Sequence, residues 1–189
     1  MIQPEQVLED NLVAQLVSLG YERVAVLVEG SLLANLKTQL EAFNEVVLTE
    51  EEFEKVLNHL TRSPAVFEKA KVLRDRMALQ REGDCGRPAG SASPETIYLD
   101  FLDFLDSSDF SRNRFQVTQQ VSMEGSYKNR YDVTILVNGL PLTQIELKRR
   151  GLELKEAFNQ TNRYQRHSYG AGAGLFHFIQ VFVITNGVN

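Results

Sequence analysis

Apolar residues recur every three or four positions over the first 80 residues and every second position from Phe115 onward, which predicts helices first and a sheet after them. Over residues 4 to 19, Val7, Leu8, Leu12, Leu16 and Leu19 share one helical face, and Gly20 follows where such a helix ends. The short valine-rich run YERVAVLV at 21 to 28 predicts a strand or an extended segment, ahead of a second helix over about Ser31 to Ala42. Thr49 followed by Glu50, Glu51 and Glu52 has the form of a capped, acidic helix start, and Phe53, Val56, Leu57 and Leu60 then line one side of a helix over 50 to 60. The glutamate run is read as a solvated helix end. A further helix is expected over 64 to 80, with Pro64 in its first turn, breaking up in EGDCGRPAGSASPE, a surface loop crowded with Gly, Pro and Ser. TIYLDFLDFLD at 96 to 106 alternates apolar and acidic residues and fits either strand or helix.

The second part of the chain reads differently. FQVTQQVSM, YDVTILV and LPLTQIELK are three expected strands, the last two joined at the turn pair Asn138-Gly139. After Lys148, Arg149, Arg150 and Gly151, LELKEAFNQTNRYQRHSY carries helix formers with no Gly or Pro until Gly170, and is expected to be a helix. FHFIQVFVIT is continuously apolar and β-branched, as in a strand covered on both faces. The expected class is therefore α/β, a sheet flanked by helices.

Length and composition set the bounds. At 189 residues, 43% hydrophobic and 24% charged, the chain is expected to form one globular domain over 1 to 189, since the apolar segments on either side of the Gly/Pro/Ser loop are each too few to bury a core alone. No basic-then-apolar leader opens it, and no run approaches the ~20 apolar residues of a membrane span, so a cytoplasmic location is expected. The single cysteine, Cys85, permits neither an internal disulfide nor a thiolate metal cluster, and His59, His167 and His177 lack ligand spacing. The net charge of −5 is unevenly spread. Residues 1 to 110 hold 10 Lys/Arg against 20 Asp/Glu, whereas 111 to 189 hold 10 against 5, so a phosphate-binding surface belongs in the second part unless folding averages the split away.

That second part also carries the candidate chemistry. Hydrolysis of a phosphodiester needs the phosphate charge neutralised and a water deprotonated, and Mg²⁺ held by hard oxygen ligands does both. Glu146 and Lys148, two apart on one expected strand, leave the same face, and Asp132 lies on the preceding strand. A strict two-residue turn at Asn138-Gly139 would pair Asp132 with Ile145 and send Glu146 to the opposite face. A three-residue loop of Val137, Asn138 and Gly139, or a bulge near Pro141, puts Asp132, Gln144, Glu146 and Lys148 on one face. An odd-length turn or a bulge is therefore expected. Taken singly, an Asp at a strand start and an ExK on a strand edge are ordinary features of exposed strands; their joint appearance, with Ile145 and Leu147 on the other face and two arginines suited to phosphates following, is more telling, although the bare D…ExK pattern is not specific by itself.

The wider segment NRYDVTILVNGLPLTQIELKRRGLELKEAFNQTNRYQ, from Asn129 to Gln165, closely resembles the N-terminal nuclease region of the HsdR (restriction) subunit of type I restriction-modification enzymes, a family of the PD-(D/E)xK nuclease superfamily. The resemblance is strongest from about Phe115 to Asn189. It implies a restriction-endonuclease-like core with a central mixed β-sheet flanked by helices. It assigns metal-binding roles to Asp132 and Glu146 and a catalytic role to Lys148, with Tyr131 standing where the superfamily's name has proline. It also assigns the family's QxxxY motif to Gln160 and Tyr164, in preference to the second spacing match Gln165 and Tyr169. Arg149, Arg150, Arg163 and Arg166 are candidate phosphate contacts. Glu9, on the first expected helix, is a candidate auxiliary acid, with Glu5 and Asp10 as neighbouring alternatives.

What the resemblance implies about activity is a Mg²⁺-dependent endonuclease acting on double-stranded DNA. With no GxxxxGK[ST] loop in these residues, ATP is expected to be used by motor domains elsewhere in a larger subunit, which assembles with methyltransferase (M) and specificity (S) subunits. On that reading the chain is a fragment that binds or cuts DNA weakly when isolated. The alternatives are a catalytically silent nuclease fold used for docking, or a nuclease of the same superfamily from a type III or repair system.

Overall fold

The computed structural model describes residues 5–62, 65–81, 95–103, 112–124, 128–148 and 174–186. The chain forms two compact units, one of residues 1–39 with 113–189 and the other of residues 40–112.

The first unit is built on a five-stranded mixed sheet in the order β1-β4-β5-β6-β7. Helix α1 (Glu5–Ser18) matches the predicted helix and ends at Gly20, whose φ of +99° suits glycine. There the Gly20 amide donates to the Val17 carbonyl and the Tyr21 amide to the Leu16 carbonyl, the paired hydrogen bonds of a Schellman cap. Tyr21 and Leu16 also pack against one apolar cluster, Leu8, Val13, Val117, Val133, Ile145 and Leu147. In the predicted valine-rich segment β1 (Glu22–Arg23) pairs in parallel with β4 (Phe115–Glu124), and Val28 adds an isolated parallel bridge to Ser122. The following residues stay extended along β4 through Val24 N–H to Val117 O, Thr118 Oγ1 to Val26 O and Ser122 N–H to Leu27 O. α2 (Glu29–Asn44) begins and ends two residues outside the predicted helix.

β4, β5 (Lys128–Val137) and β6 (Leu140–Leu147) form the expected antiparallel run, and β6 pairs in parallel with β7 (Val181–Thr185). The apolar run near the end of the chain divides differently from the prediction. Gly174–Phe178 is a 3₁₀ turn with Leu175, Phe176 and Phe178 buried, and only 181–185 is strand. β7 is not buried on both faces either: it lies at the sheet edge, and Val181 and Val183 remain 50% and 38% exposed. Apolar composition reports burial of a segment as a whole, and a tight 3₁₀ turn hides apolar side chains as well as a strand does.

In the second unit, α3 (Glu50–Thr61) opens with the predicted cap as a full capping box: the Glu52 amide donates to Thr49 Oγ1 at 3.2 Å, and the Thr49 amide to Glu52 Oε2 at 2.8 Å. The glutamate run is not wholly solvated, because Glu52 is buried and ion-paired with Arg81, Nε to Oε1 at 2.7 Å. That guanidinium, more than the cap, holds the Glu52 carboxyl below the usual carboxylate range. The helix predicted over 64–80 is two elements: α4 (Val66–Arg74), ended by an extended Asp75, and β2 (Met77–Arg81), antiparallel to β3 (Glu95–Leu99). The residues MALQR are helix formers, but opposite Thr96, Ile97 and Tyr98 they alternate buried Met77 and Leu79 with exposed Ala78 and Gln80. A β-partner outweighed local propensity there. β3 also decides the ambiguous start of TIYLDFLDFLD in favour of strand. Among the described residues no helix is long and apolar enough to cross a membrane.

Candidate metal and catalytic site

The site lies on β5 and β6, and the turn between them sets its register. Asn138 and Gly139 both take positive φ, 49° and 82°, so the hairpin closes with a two-residue turn rather than a three-residue loop. Asn138 is tied down on three sides: its amide donates to Arg114 O, its Oδ1 accepts from Arg114 N–H, and its Nδ2 donates to Asn113 Oδ1. Left alone, this turn would put Asp132 and Glu146 on opposite faces. A bulge prevents that. Pairs Val137↔Leu140 and Leu136↔Pro141 are followed by Ile135↔Thr143, so Leu142 is the extra residue, one position from Pro141. From there Thr134 faces Gln144 and Val133 faces Ile145, which sets Asp132 opposite Glu146.

Alternation then sorts the side chains. Val133, Ile145 and Leu147 join the apolar cluster beneath α1, while Asp132, Thr134, Gln144, Glu146 and Lys148 occupy the other register positions. The backbone amide of Leu147 donates to Asp132 Oδ2 at 2.8 Å. Thr134 Oγ1 donates to Gln144 Oε1 at 2.8 Å, and Gln144 Nε2 donates to Glu146 Oε1 at 3.3 Å. Strand-mates of the two acids thus orient Glu146, a role visible in sequence only as polar residues interrupting apolar strands. Tyr131, in the proline position of the superfamily's name, is fully buried and stacks on Phe176 with ring centroids 4.3 Å apart, anchoring β5 beside Asp132.

Electrostatics make the pair unusual. Glu146 is 1% exposed, and burial first, then the charge of Asp132, pushes its pKa from an ordinary 4.5 up to about 8. Asp132 is raised as well, chiefly by burial, against the opposing pull of the Leu147 amide and the Lys148 ammonium. The two carboxyl groups hydrogen-bond to one another, so at neutral pH the pair retains a proton or takes up a cation in its place. Two converging hard-oxygen donors, one buried and one half-buried, suit a small divalent cation. Among the described residues no group of three or more His, Cys, Asp and Glu side chains is arranged to hold a metal; the candidate ligands are these two carboxylates.

The linkage has a definite sign. Because folded Glu146 binds its proton more tightly than unfolded Glu146, the native state is penalised as pH rises from about 4.5 and the penalty is complete above about 8. The cation-free protein is therefore expected to lose Tm across that window. Added Mg²⁺ should raise Tm more at pH 8 than at pH 5, and Glu146→Gln should reduce the pH-dependent loss, leaving the part owed to raised Asp132 and Glu9; differential scanning fluorimetry with and without chelator measures all three.

Around this pair, Glu9 on α1 is 4% exposed, and burial raises its pKa, with the Asp132 charge adding to the effect. Gln120 Nε2 donates to Glu9 Oε2, and Arg130 Nε donates to Gln120 Oε1. Glu5 is near enough for its charge to act on Asp132, while Asp10 instead accepts from Gln119 Nε2 at 3.2 Å. Nothing in the sequence singles out Gln120. Arg149, Arg150, Gln160, Arg163, Tyr164, Arg166 and His167 lie outside the described residues. Of the other histidines, His59 stacks on Phe101 and His177 packs against Phe178.

A mixed sheet of five strands with flanking helices is consistent with a PD-(D/E)xK-like nuclease core, and the acidic pair lies on adjacent strands of it with Lys148 directly after the second. The family described as "Type I restriction enzyme R protein N terminus (HSDR_N)" matches residues 2–189, and the chain belongs to that family. It is 44% identical over 191 residues to the type I restriction enzyme SauCOLORF180P endonuclease subunit of Staphylococcus aureus (strain COL), covering 98% of this chain and 19% of that protein. It is 40% identical to the type I restriction enzyme EcoprrI endonuclease subunit of Escherichia coli, covering 99% of this chain and 57% of that protein. A putative type I restriction enzyme MjaVIIIP endonuclease subunit of Methanocaldococcus jannaschii is 26% identical over 96% of this chain and 18% of its own length. The chain thus spans about a fifth of the staphylococcal relatives it matches.

Proposed function

We propose that residues 1 to 189 act as one endonuclease domain of a type I restriction enzyme R subunit, hydrolysing double-stranded DNA with Mg²⁺. The observation that carries this reading is the pair of carboxyl groups, half-buried Asp132 and buried Glu146, held against each other with Lys148 acting on both. Asp132 and Glu146, with a backbone carbonyl such as that of Leu147, would hold the ion. When bound, Mg²⁺ supplies positive charge at the scissile phosphate and acidifies coordinated water. Lys148 favours the ionised carboxylates and orients or helps deprotonate the attacking water. Gln144 fixes the Glu146 carboxylate, and the Leu147 amide fixes Asp132. Glu9 serves as an auxiliary acid. The same reading gives Gln160 and Tyr164 the roles of the family's QxxxY motif and makes Arg149, Arg150, Arg163 and Arg166 candidate phosphate contacts.

The relatives are named endonuclease subunits of type I restriction enzymes, which supports cutting over a silent docking role. In the proposed assembly, ATP drives translocation by motor domains outside these residues, and methyltransferase (M) and specificity (S) subunits recognise the DNA. In the full-length subunit within that complex, chelation of Mg²⁺ should abolish cleavage. Lys148→Ala should lower the cleavage rate on the order of 100-fold, as for loss of a group acting on the nucleophile's proton, while leaving ATP hydrolysis intact. Cleavage that persists in chelator, or a wild-type rate for Lys148→Ala, would overturn the assignment.

A further inference from the structure

Gln120 stands in the middle of β4 with φ of +61°, a left-handed conformation that glycine or asparagine adopts readily and a long side chain does not. The β4–β5 ladder is unshifted on both sides of it, Gln119↔Val133 and Val121↔Tyr131, so no inserted residue accounts for the distortion. Its position falls opposite Asp132. Its amide donates to Glu9 on α1 and accepts from Arg130 on β5. A side-chain amide can serve a carboxylate and a guanidinium at once, as donor to one and acceptor from the other, and glutamine has the length to reach both here. A carboxylate at 120 would repel Glu9, and a lysine would have nothing to offer Arg130.

We propose that Gln120 is a positioning residue, whose left-handed backbone and paired hydrogen bonds hold Glu9 and Arg130 beside Asp132 for cation binding and cleavage. This rests on the reading that Asp132 and Glu146 hold a divalent cation. Glu9 brings a further carboxylate to the cation's surroundings, and Arg130 places a cationic group where a DNA phosphate would approach. Backbone distortion kept at a residue opposite the acidic pair is the kind that functional sites retain.

The discriminating variant is Gln120→Gly, made in the full-length subunit within its complex, because glycine removes the amide and relieves the left-handed backbone together. A purely structural residue would give a Tm held or raised, with unchanged Mn²⁺ affinity and cleavage. The positioning role predicts the same Tm, with Mn²⁺ affinity and cleavage rate each weakened by roughly 10-fold or more, the scale of losing a hydrogen bond in the shell around a metal site. Gln120→Asn also tolerates the backbone but is one methylene short of spanning both partners, so it should show the same two losses at unchanged Tm, whether or not the glycine variant folds. Wild-type Mn²⁺ affinity and cleavage in Gln120→Asn would overturn the proposal. Asp132→Asn separates the two ideas: if it abolishes Mn²⁺ binding and cleavage while both Gln120 variants remain wild type, only the positioning role fails. If Asp132→Asn is itself wild type, the cation site fails.

Discussion

Asp132→Asn in the full-length enzyme is expected to lower DNA cleavage by on the order of a thousand-fold or more while leaving the fold intact, since a bound cation supplies several kcal/mol of charge stabilisation. The exchange is close to isosteric. The carboxamide oxygen of the variant can still accept from the Leu147 amide, which in the wild type lies 2.8 Å from Asp132 Oδ2, so the β5–β6 edge keeps its hydrogen bond. What disappears is a negative charge facing buried Glu146. Without the cation, that loss relieves repulsion, so Tm in chelator at pH 8 should rise for the same variant that cannot cut. Opposite movement of stability and activity is what distinguishes a ligand pair from a structural one. A cleavage rate within about threefold of wild type, measured by linearisation of plasmid DNA under the same protocol, would remove Asp132 from the mechanism.

Gly139→Ala should be the most damaging single methyl addition in this part of the molecule. At φ of +82° an alanine is strained by about 1 to 2 kcal/mol. A Cβ there would also lie 2.7 Å from Leu36 Cα and 3.2 Å from Leu36 N, which are backbone atoms of α2 that cannot swing aside. Overpacking of that kind adds about 1 to 3 kcal/mol. A loss of roughly 3 to 4 kcal/mol translates to a fall in Tm of about 10 °C for a protein of this size. Because the same turn sets the register that brings Asp132 opposite Glu146, cation affinity should fall along with stability. Asn138→Gly is the comparison: it keeps a left-handed position open but gives up the hydrogen bonds to Asn113 and Arg114, and should cost less than Gly139→Ala. Equal Tm for Gly139→Ala and wild type in thermal denaturation would contradict the packing described here.

Much of the candidate site was legible because it is written at short range. An ExK pair on one strand shares a face by alternation alone, and Asn138-Gly139 marks the turn before it. Whether Asp132 joined that face was not legible, since a two-residue turn forbids it and a bulge restores it, and the bulged residue, Leu142, looks like any other strand leucine. The place of Glu9 was open among three acids on one helix; burial of the helix face toward the sheet separates it from exposed Asp10. Gln120 was invisible because nothing in a glutamine announces a left-handed backbone.

The fold divides in the same way. By itself the sequence determined α1 and its glycine stop, the Thr49–Glu52 cap, the three central strands and the residues that chemistry would need. These rest on interactions within a few residues, which neighbouring side chains decide. Tertiary structure decided that MALQR pairs as β2, that Phe176 and Phe178 bury in a 3₁₀ turn, that Glu52 meets Arg81, and that a bulge at Leu142 turns Glu146 toward Asp132. Each of those outcomes depends on a partner distant in the chain or on the parity of a ladder. Local propensity carries neither, so the acidic pair exists only once the sheet has formed.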